Sequence, residues 1–290
     1  MVPLIELAQG LPWLYLSLVF LFSLMVGSFL NVVIHRLPIM LEREWQAEYS
    51  DYFGSEVATS PAAPYNLMVP RSRCPHCDHP IGALENIPLL SWLWLKGRCR
   101  KCKAPISARY PLVELLTALL SVAVAATLTP GWGTLAALLL TWVLVALTFI
   151  DLDKMLLPDQ LTLPLLWGGL LFNLAGGFVP LADAVIGAMA GYLVLWSLYW
   201  AFKLLTGKEG MGYGDFKLLA ALGAWLGWQA LPIVLLLSSL VGAIIGIGLI
   251  LLRNHHQGKP IPFGPYLAIA GWIALLWGDN ITRWYLNIVL

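Results

Sequence analysis

The sequence predicts an all-α polytopic membrane protein with about eight transmembrane helices and a small cytoplasmic loop domain of zinc-ribbon type. Of the 290 residues, 59% are hydrophobic and 11% are charged, whereas soluble domains carry roughly 25% charge. Apolar runs of about 20 residues, long enough to cross a hydrocarbon core of ~30 Å, recur along the chain. One long polar segment, 37–109, interrupts them. The net charge of +1 gives no indication of a nucleic-acid partner.

Eight candidate spans follow from hydropathy and from the prolines and glycines between the apolar runs. They are 11–34, 110–128, 132–150, 161–175, 181–205, 216–230, 232–252 and 265–282. We therefore divide the chain into a first span (1–36), a cytoplasmic loop with a cysteine module (37–109) and a seven-helix core (110–290). The loop opens on a helix-like acidic stretch between Glu42 and Glu56.

The distribution of Lys and Arg predicts the orientation, because these residues are retained on the cytoplasmic side. Ten of the seventeen cations lie in 36–109, which places this loop in the cytoplasm and the N-terminus in the periplasm. An eight-span arrangement puts all of the others except Arg283 in or beside cytoplasmic connections. We expect a multi-pass protein of a bacterial inner membrane.

All four cysteines lie in two CxxC pairs of the loop, Cys74 with Cys77 and Cys99 with Cys102. Two such pairs can complete a tetrahedral site of four thiolates, and disulfides are unfavoured in the cytoplasm. We predict structural Zn²⁺, because four Cys ligands leave no open position for chemistry. The alternatives are redox-active or unpaired thiols, or replacement of one thiolate by His76 or His79.

Two carboxylates fall at cytoplasmic helix ends, Asp151 after the third span and Asp215 before the sixth. Acidic residues at membrane level are functional candidates. Two carboxyl groups from different helices can share a proton, so that one activates water while the other polarises a carbonyl group. Gly212 and Gly214 of the GxGD sequence would permit unusual backbone geometry and a close approach of extended substrate.

Other roles for these two acids are also compatible with the sequence. Asp215 precedes an apolar helix and could serve only as a helix N-cap. Asp153 lies within one turn of Asp151, and the residues alone do not separate the two. A transporter with paired acids near the membrane centre, or a GxGD protease acting on other membrane helices, would also fit.

Several sequence blocks add to the cysteine and aspartate patterns. They are GSFLNVV at 27–33, HRLP at 35–38, RYPLVE at 109–114 and PIPFGP at 260–265. With these blocks, nearly the whole chain resembles the bacterial type IV prepilin peptidases, the leader peptidases of pilus and type II secretion systems. The four-cysteine loop and the N-terminal block argue against the other GxGD proteases.

The resemblance implies an enzyme with two activities. It would cleave prepilins or pseudopilins after a leader glycine on the cytoplasmic side, with Asp151 and Asp215 as the catalytic pair. It would then methylate the new N-terminus with S-adenosylmethionine. The sequence has no Gly-rich fingerprint for a nucleotide-type cofactor. We place that site in the loop, near Gly97, which could instead form the turn before Cys99.

Overall fold

A computed structural model describes residues 2–54, 64–253 and 261–289, and these residues are predominantly α-helical. Within them there are no β-strands, only two isolated antiparallel bridges. Glu56 and Pro260, which belong to the acidic stretch and to the last sequence block, lie outside the described residues. The chain forms two compact units, Met1–Ala126 and Thr127–Leu290.

The described residues of the first unit form four α-helices and one short 3₁₀ turn. They are α1 (Val2–Gly10), α2 (Pro12–Phe53), the 3₁₀ turn Ala83–Asn86, α3 (Leu90–Trp94) and α4 (Arg109–Thr127). Helix α2 has 42 residues, and at 1.5 Å per residue it is about 63 Å long. It therefore continues far beyond a bilayer core, and the part of the acidic stretch up to Phe53 is its extension. The domain boundary predicted at residue 36 falls inside this helix and stays a prediction.

Small and polar residues of the N-terminal block pack α2 against α4. A Cβ atom on Gly27 would lie 2.7 Å from the Cα atom of Glu114, so only glycine permits this approach. Asn31 donates a hydrogen bond of 3.0 Å to the carbonyl of Tyr110. The carboxylate of Glu114 is buried and accepts a hydrogen bond of 2.9 Å from the backbone N–H of Leu89. Glu114 thus connects α4 to the start of α3.

Six α-helices lie in the part of the second unit that the structure describes. They are α5 (Trp132–Lys154), α6 (Asp159–Leu174), α7 (Leu181–Thr206), α8 (Tyr213–Leu226), α9 (Leu231–Arg253) and α10 (Gly264–Val289).

Each of the eight predicted spans coincides with a helix, and five helical segments are long and apolar enough to cross a membrane. These segments are Pro12–Phe53, Arg109–Thr127, Trp132–Lys154, Leu181–Thr206 and Trp228–Gly248. Helices α6 and α8 have 16 and 14 residues, which gives lengths of about 24 and 21 Å, less than a full core of ~30 Å. The membrane-protein class is confirmed, and the count of eight spans stays a prediction.

Helix α8 is the most buried element of the second unit. Every residue from Asp215 to Trp225 except Lys217 is buried, as expected of a helix that is apolar on all sides. Its ends are fixed by polar contacts to α6. Lys217 forms an ion pair of 2.6 Å with Asp159, and the amide of Asn173 donates to the carbonyls of Ala224 and Trp225.

Glycines let α7 approach α8 backbone to backbone. A Cβ atom on Gly191 would lie 2.6 Å from the carbonyl oxygen of Leu219, and one on Gly187 would meet the backbone of Gly223. Gly187 and Gly191 form a GxxxG pair, a spacing typical of close helix packing in membranes.

We predict that Gly191→Val destabilises the protein, because the added side chain would collide with the backbone of α8. The expected loss is about 1–3 kcal/mol of unfolding free energy, measured by denaturant titration in detergent micelles. Gly248→Val is the matched control, since a Cβ atom at Gly248 has no neighbour within 4 Å. Equal stability of the two variants would contradict the tight α7–α8 contact.

Candidate active site and metal centre

Asp151 lies in the last turn of α5 with 5% of its surface exposed. Its Oδ2 atom accepts a hydrogen bond of 3.1 Å from the backbone N–H of Gly264, the first residue of α10. The first N–H groups of a helix lack intrahelical partners and carry partial positive charge, which suits a carboxylate. Helix α10 therefore orients and solvates Asp151 inside the core.

Asp215 is the third residue of α8, with 7% of its surface exposed. The N-cap of α8 is Gly212, so the alternative that Asp215 is the N-cap residue is wrong. The carboxyl group of Asp215 does interact with the backbone of Gly212, and it lies near enough to Asp151 for their charges to interact. The contact with Gly212 explains why an acid suits the start of α8, but it does not explain why Asp215 is buried beside Asp151.

The backbone geometry of the two glycines in the GxGD sequence differs from that predicted, whereas the close approach of extended substrate stays a prediction. Gly212 has φ −88° and ψ 156°, an extended conformation open to any residue. Gly214 lies in the first turn of α8, where a Cβ atom would approach the Cβ atom of Leu157 to 2.8 Å. The prediction of unusual backbone geometry is therefore wrong. Gly214 is needed because Leu157 packs directly against it.

Leu157 also occupies the space beside Gly264. A Cβ atom on Gly264 would lie 3.1 Å from a methyl group of Leu157 and 2.6 Å from Oδ2 of Asp151. Leu157 thus packs against Gly214, which precedes Asp215, and against Gly264, which donates a hydrogen bond to Asp151. Leu157 could not be found from sequence patterns, because its contacts join segments far apart in the chain.

Exposure separates Asp151 from the neighbouring acids. Asp153 is exposed, although it is only two residues from Asp151. Asp159 is half exposed and bound to Lys217, and Asp183 accepts a hydrogen bond of 3.1 Å from the indole of Trp228. Of the carboxylates that the sequence placed at the cytoplasmic helix ends, the structure buries Asp151 and Asp215.

Lys203 stabilises the connection from α7 to α8. The sequence predicted no specific contact for this residue. Lys203 donates hydrogen bonds of 2.7 Å to Glu209 and 3.1 Å to the hydroxyl of Tyr199. Gly210 lies against the ring of Phe202, where a Cβ atom would be only 3.0 Å from the ring. These contacts hold the segment that leads into Gly212 and Asp215.

The first unit brings the four cysteines together. All four Sγ atoms lie within 4.8 Å of one another. The Cys74–Cys102 and Cys77–Cys99 pairs are separated by 3.7 and 4.0 Å. A tetrahedral centre with metal–sulfur bonds of ~2.3 Å requires sulfur–sulfur distances of about 3.8 Å. The arrangement could therefore bind a metal ion without rearrangement of the backbone.

The electrostatics of the cluster also suit a cation. Hydrogen bonds from the backbone of Cys102 and Lys101 lower the pKa of the Cys99 thiol to about 6. The backbone of His79 lowers the pKa of Cys77, but burial and the three neighbouring sulfurs outweigh it and raise that pKa to about 11. Several thiolates cannot gather in so small a volume without a positive charge among them.

The two knuckles are structural repeats, a feature that was not predicted. The N–H groups of Cys74 and Cys99 donate to the carbonyls five residues later, at 2.9 and 2.8 Å. Each knuckle closes through a bridge to a proline, Arg73 with Pro80 and Arg98 with Pro105. The signal was available as the repeated pattern RCxxCxxPI at 73–81 and 98–106.

Gly97 supports the second knuckle by its backbone. It has φ +65°, a conformation that favours glycine, and a Cβ atom there would lie 2.9 Å from the ring of Trp92. Its carbonyl accepts a hydrogen bond of 2.7 Å from Ile106. A turn before Cys99 therefore accounts for this glycine, and its cofactor role stays a prediction.

Two family profiles cover most of the chain. The profile described as Bacterial Peptidase A24 N-terminal domain matches residues 21–128, and that described as Type IV leader peptidase family matches residues 138–247. The chain belongs to the type IV leader peptidase family. This family includes proteins named prepilin leader peptidase/N-methyltransferase that are similar to the chain over nearly its whole length. No solved structure matches the chain significantly.

Three of these relatives show the extent of the similarity, and each alignment covers 98% of both chains. The protein from Aeromonas hydrophila is 89% identical over 284 residues. Those from Pseudomonas aeruginosa and Stutzerimonas stutzeri are 59% identical over 285 residues and 58% identical over 284 residues. The predicted family and the predicted enzyme class are thereby confirmed.

We predict that Gly264→Ala lowers peptidase activity with little loss of folded protein, because the methyl group would displace the Asp151 carboxylate. Loss of orientation at a reacting group costs on the order of 10²-fold. The measurement is kcat for leader removal from a purified precursor in detergent. Gly246→Ala is the matched control, because its Cβ atom would make only an ordinary 3.7 Å contact. Full activity of Gly264→Ala would show that the Gly264–Asp151 contact is dispensable.

Proposed function

We propose that the chain removes the leader peptide of type IV prepilins or type II secretion pseudopilins at the cytoplasmic face of the inner membrane, with Asp151 and Asp215 as the catalytic pair. The observation that carries this proposal is the pair itself. Two buried carboxyl groups, from the end of α5 and the start of α8, lie near enough for their charges to interact. Burying two acids together costs free energy, so a buried pair of this kind is a candidate for function.

The pair supports hydrolysis by general acid–base catalysis. One carboxylate takes a proton from a water molecule as its oxygen attacks the scissile carbonyl carbon, while the other carboxyl group donates a proton to the carbonyl oxygen. Collapse of the tetrahedral intermediate breaks the C–N bond, and the departing amine receives a proton from the pair. The N–H of Gly264 keeps one oxygen of Asp151 in place during these transfers.

The proposed orientation rests on the charge distribution. The retention of Lys and Arg in the cytoplasm places 36–109 and the acid pair on that side and the N-terminus in the periplasm. The substrate is then a membrane-inserted helix whose scissile bond lies at the cytoplasmic surface. The paired acids lie at helix ends rather than mid-helix, which favours a protease over a transporter with acids at the membrane centre.

We predict that Asp151→Asn and Asp215→Asn each reduce leader cleavage by about 10²- to 10⁴-fold, because an amide cannot exchange the required proton. Asn retains the shape of Asp, so both variants should fold. The measurement is the rate of precursor shortening by purified protein in lipid nanodiscs.

Asp153→Asn is the matched control, since this acid is exposed and two residues away from Asp151. It should retain near-normal activity. Normal cleavage by Asp151→Asn, or loss of cleavage in Asp153→Asn alone, would move the catalytic role away from Asp151.

We also propose that the metal held by the four cysteines is Zn²⁺ with a structural role. Cys74, Cys77, Cys99 and Cys102 would supply four thiolates, the set typical of structural zinc. A bound ion would lock together two knuckles that make few apolar contacts of their own.

We predict that Cys74→Ser with Cys99→Ser removes about one zinc per chain and loosens 64–106, because two thiolates do not hold the ion. The measurements are metal content by plasma mass spectrometry and amide hydrogen exchange of that segment. Ser72→Ala with Ser107→Ala, two substitutions outside the ligand set, should keep the metal. A purified wild-type chain without zinc would contradict the assignment.

The methyltransferase activity is proposed to act on the N-terminus that cleavage exposes, with S-adenosylmethionine as the methyl donor. The names of the similar proteins support this second activity. The positively charged sulfur of the donor makes its methyl group electrophilic, and a deprotonated amine can attack it. We place this site in the cytoplasmic loop near Gly97.

A further inference from the structure

Helix α3 turns three large apolar side chains outward. Leu90, Leu93 and Trp94 have the i, i+3, i+4 spacing of one helix face, and each is strongly exposed. Trp92 points the other way, where its indole donates a hydrogen bond of 3.2 Å to Ile106 of the second knuckle. The inward side of this short helix is therefore used by the cysteine module, and the outward side presents apolar surface.

The same module is strongly basic. Residues 64–109 contain eight Lys or Arg and two acids, Asp78 and Glu85. The carboxylate of Glu85 already pairs with His79 and Arg100, at nitrogen–oxygen distances of 3.4 and 3.6 Å. Five cations follow α3 within ten residues, and all are exposed. They are Lys96, Arg98, Arg100, Lys101 and Lys103. Four thiolates around a divalent metal would leave the module positive, because they add a net charge of only −2.

The position of α3 is fixed relative to a membrane-spanning helix. Its N-cap, Leu89, donates a backbone hydrogen bond of 2.9 Å to Glu114, the sixth residue of α4. At 1.5 Å per residue, that contact lies about 8 Å into α4. The second knuckle ends at Ile106, with two residues before α4 begins at Arg109. With α4 placed across a bilayer as proposed, the apolar face of α3 and the cations after it would lie at the level of the bilayer surface.

We infer that this face, which consists of Leu90, Leu93 and Trp94 with the cations 96–103, is a docking surface for the anionic phospholipid headgroups of the adjacent leaflet. Trp and Leu side chains suit the interface between headgroups and acyl chains. Clusters of four to eight cations beside a transmembrane helix attract anionic lipid. Docking would anchor the cysteine module on the membrane surface. The inference rests on the proposed membrane placement of α4, and not on the proposed proteolysis.

Photocrosslinking from two matched positions tests the inference in the full-length protein. The photoreactive residue p-benzoylphenylalanine replaces either Trp94 or Tyr52, in nanodiscs of phosphatidylcholine with or without phosphatidylglycerol. The two native side chains are similarly exposed, at 79% and 84%. Tyr52 lies in the acidic extension of α2, where anionic lipid should be repelled.

We expect lipid adducts at position 94, with phosphatidylglycerol adducts at least ~3-fold above their share of the lipid mixture, since each cation near the surface adds a several-fold preference. Position 52 should give few adducts in either lipid. Adducts that are as frequent at position 52, that show no lipid preference, or that join position 94 mainly to protein would overturn the inference. Nanodiscs expose both leaflets, so the result does not depend on orientation or on cleavage.

A charge variant tests the electrostatic part with the same probe. Lys101→Gln with Lys103→Gln should remove most of the phosphatidylglycerol preference at position 94 and leave the phosphatidylcholine adducts unchanged. Zinc content reports whether the module is intact in this variant. An unchanged preference in a module with its metal would contradict the role of these cations.

Discussion

The burial of α8 determines where Asp215 lies, and the rest of the second unit is arranged around that helix. Its apolar side chains contact neighbours on every side, while glycines on α7 let the two backbones touch. A shift of α8 along its axis would move Asp215 away from Asp151 and would also break the Asn173 hydrogen bonds at the other end. Packing free energy is thereby used to hold two carboxyl groups together.

Two buried polar side chains of this unit, Asn173 and Asp151, have specific partners in the protein. Asn173 uses its amide and its carbonyl oxygen, since it also accepts hydrogen bonds of 2.7 and 3.1 Å from Phe178 and Val179. Asp151 receives the first N–H of α10. In an apolar environment each unpaired group would cost several kcal/mol. The short helices α6 and α8 are compatible with this arrangement because their ends are bonded to one another.

The sequence predicted most of the helices, the four-cysteine cluster and the two buried acids. Hydropathy and the spacing of CxxC pairs are local signals, so they can be interpreted from the sequence without knowledge of the packing. The separation of Asp151 from Asp153 could not be derived in that way, because both lie within one turn and only tertiary contacts bury one of them. The backbone geometry of Gly212 and Gly214 was predicted wrongly for a similar reason. The constraint on Gly214 comes from Leu157, a residue 57 positions earlier in the chain.

The cysteine module shows the same division between local and tertiary information. The grouping of its four cysteines was predictable from their spacing, whereas the contact of Glu114 with Leu89 depends on how α4 meets the loop.

In the proposed mechanism, Asp151 and Asp215 act on one water molecule as a pair. The decisive measurement is the distance between their carboxyl oxygens in an experimental structure of the protein in a lipid nanodisc. We expect the nearest oxygens to lie within about 3 to 6 Å of each other, close enough to share a proton. Carboxyl groups more than about 10 Å apart, with an apolar side chain between them, would contradict it.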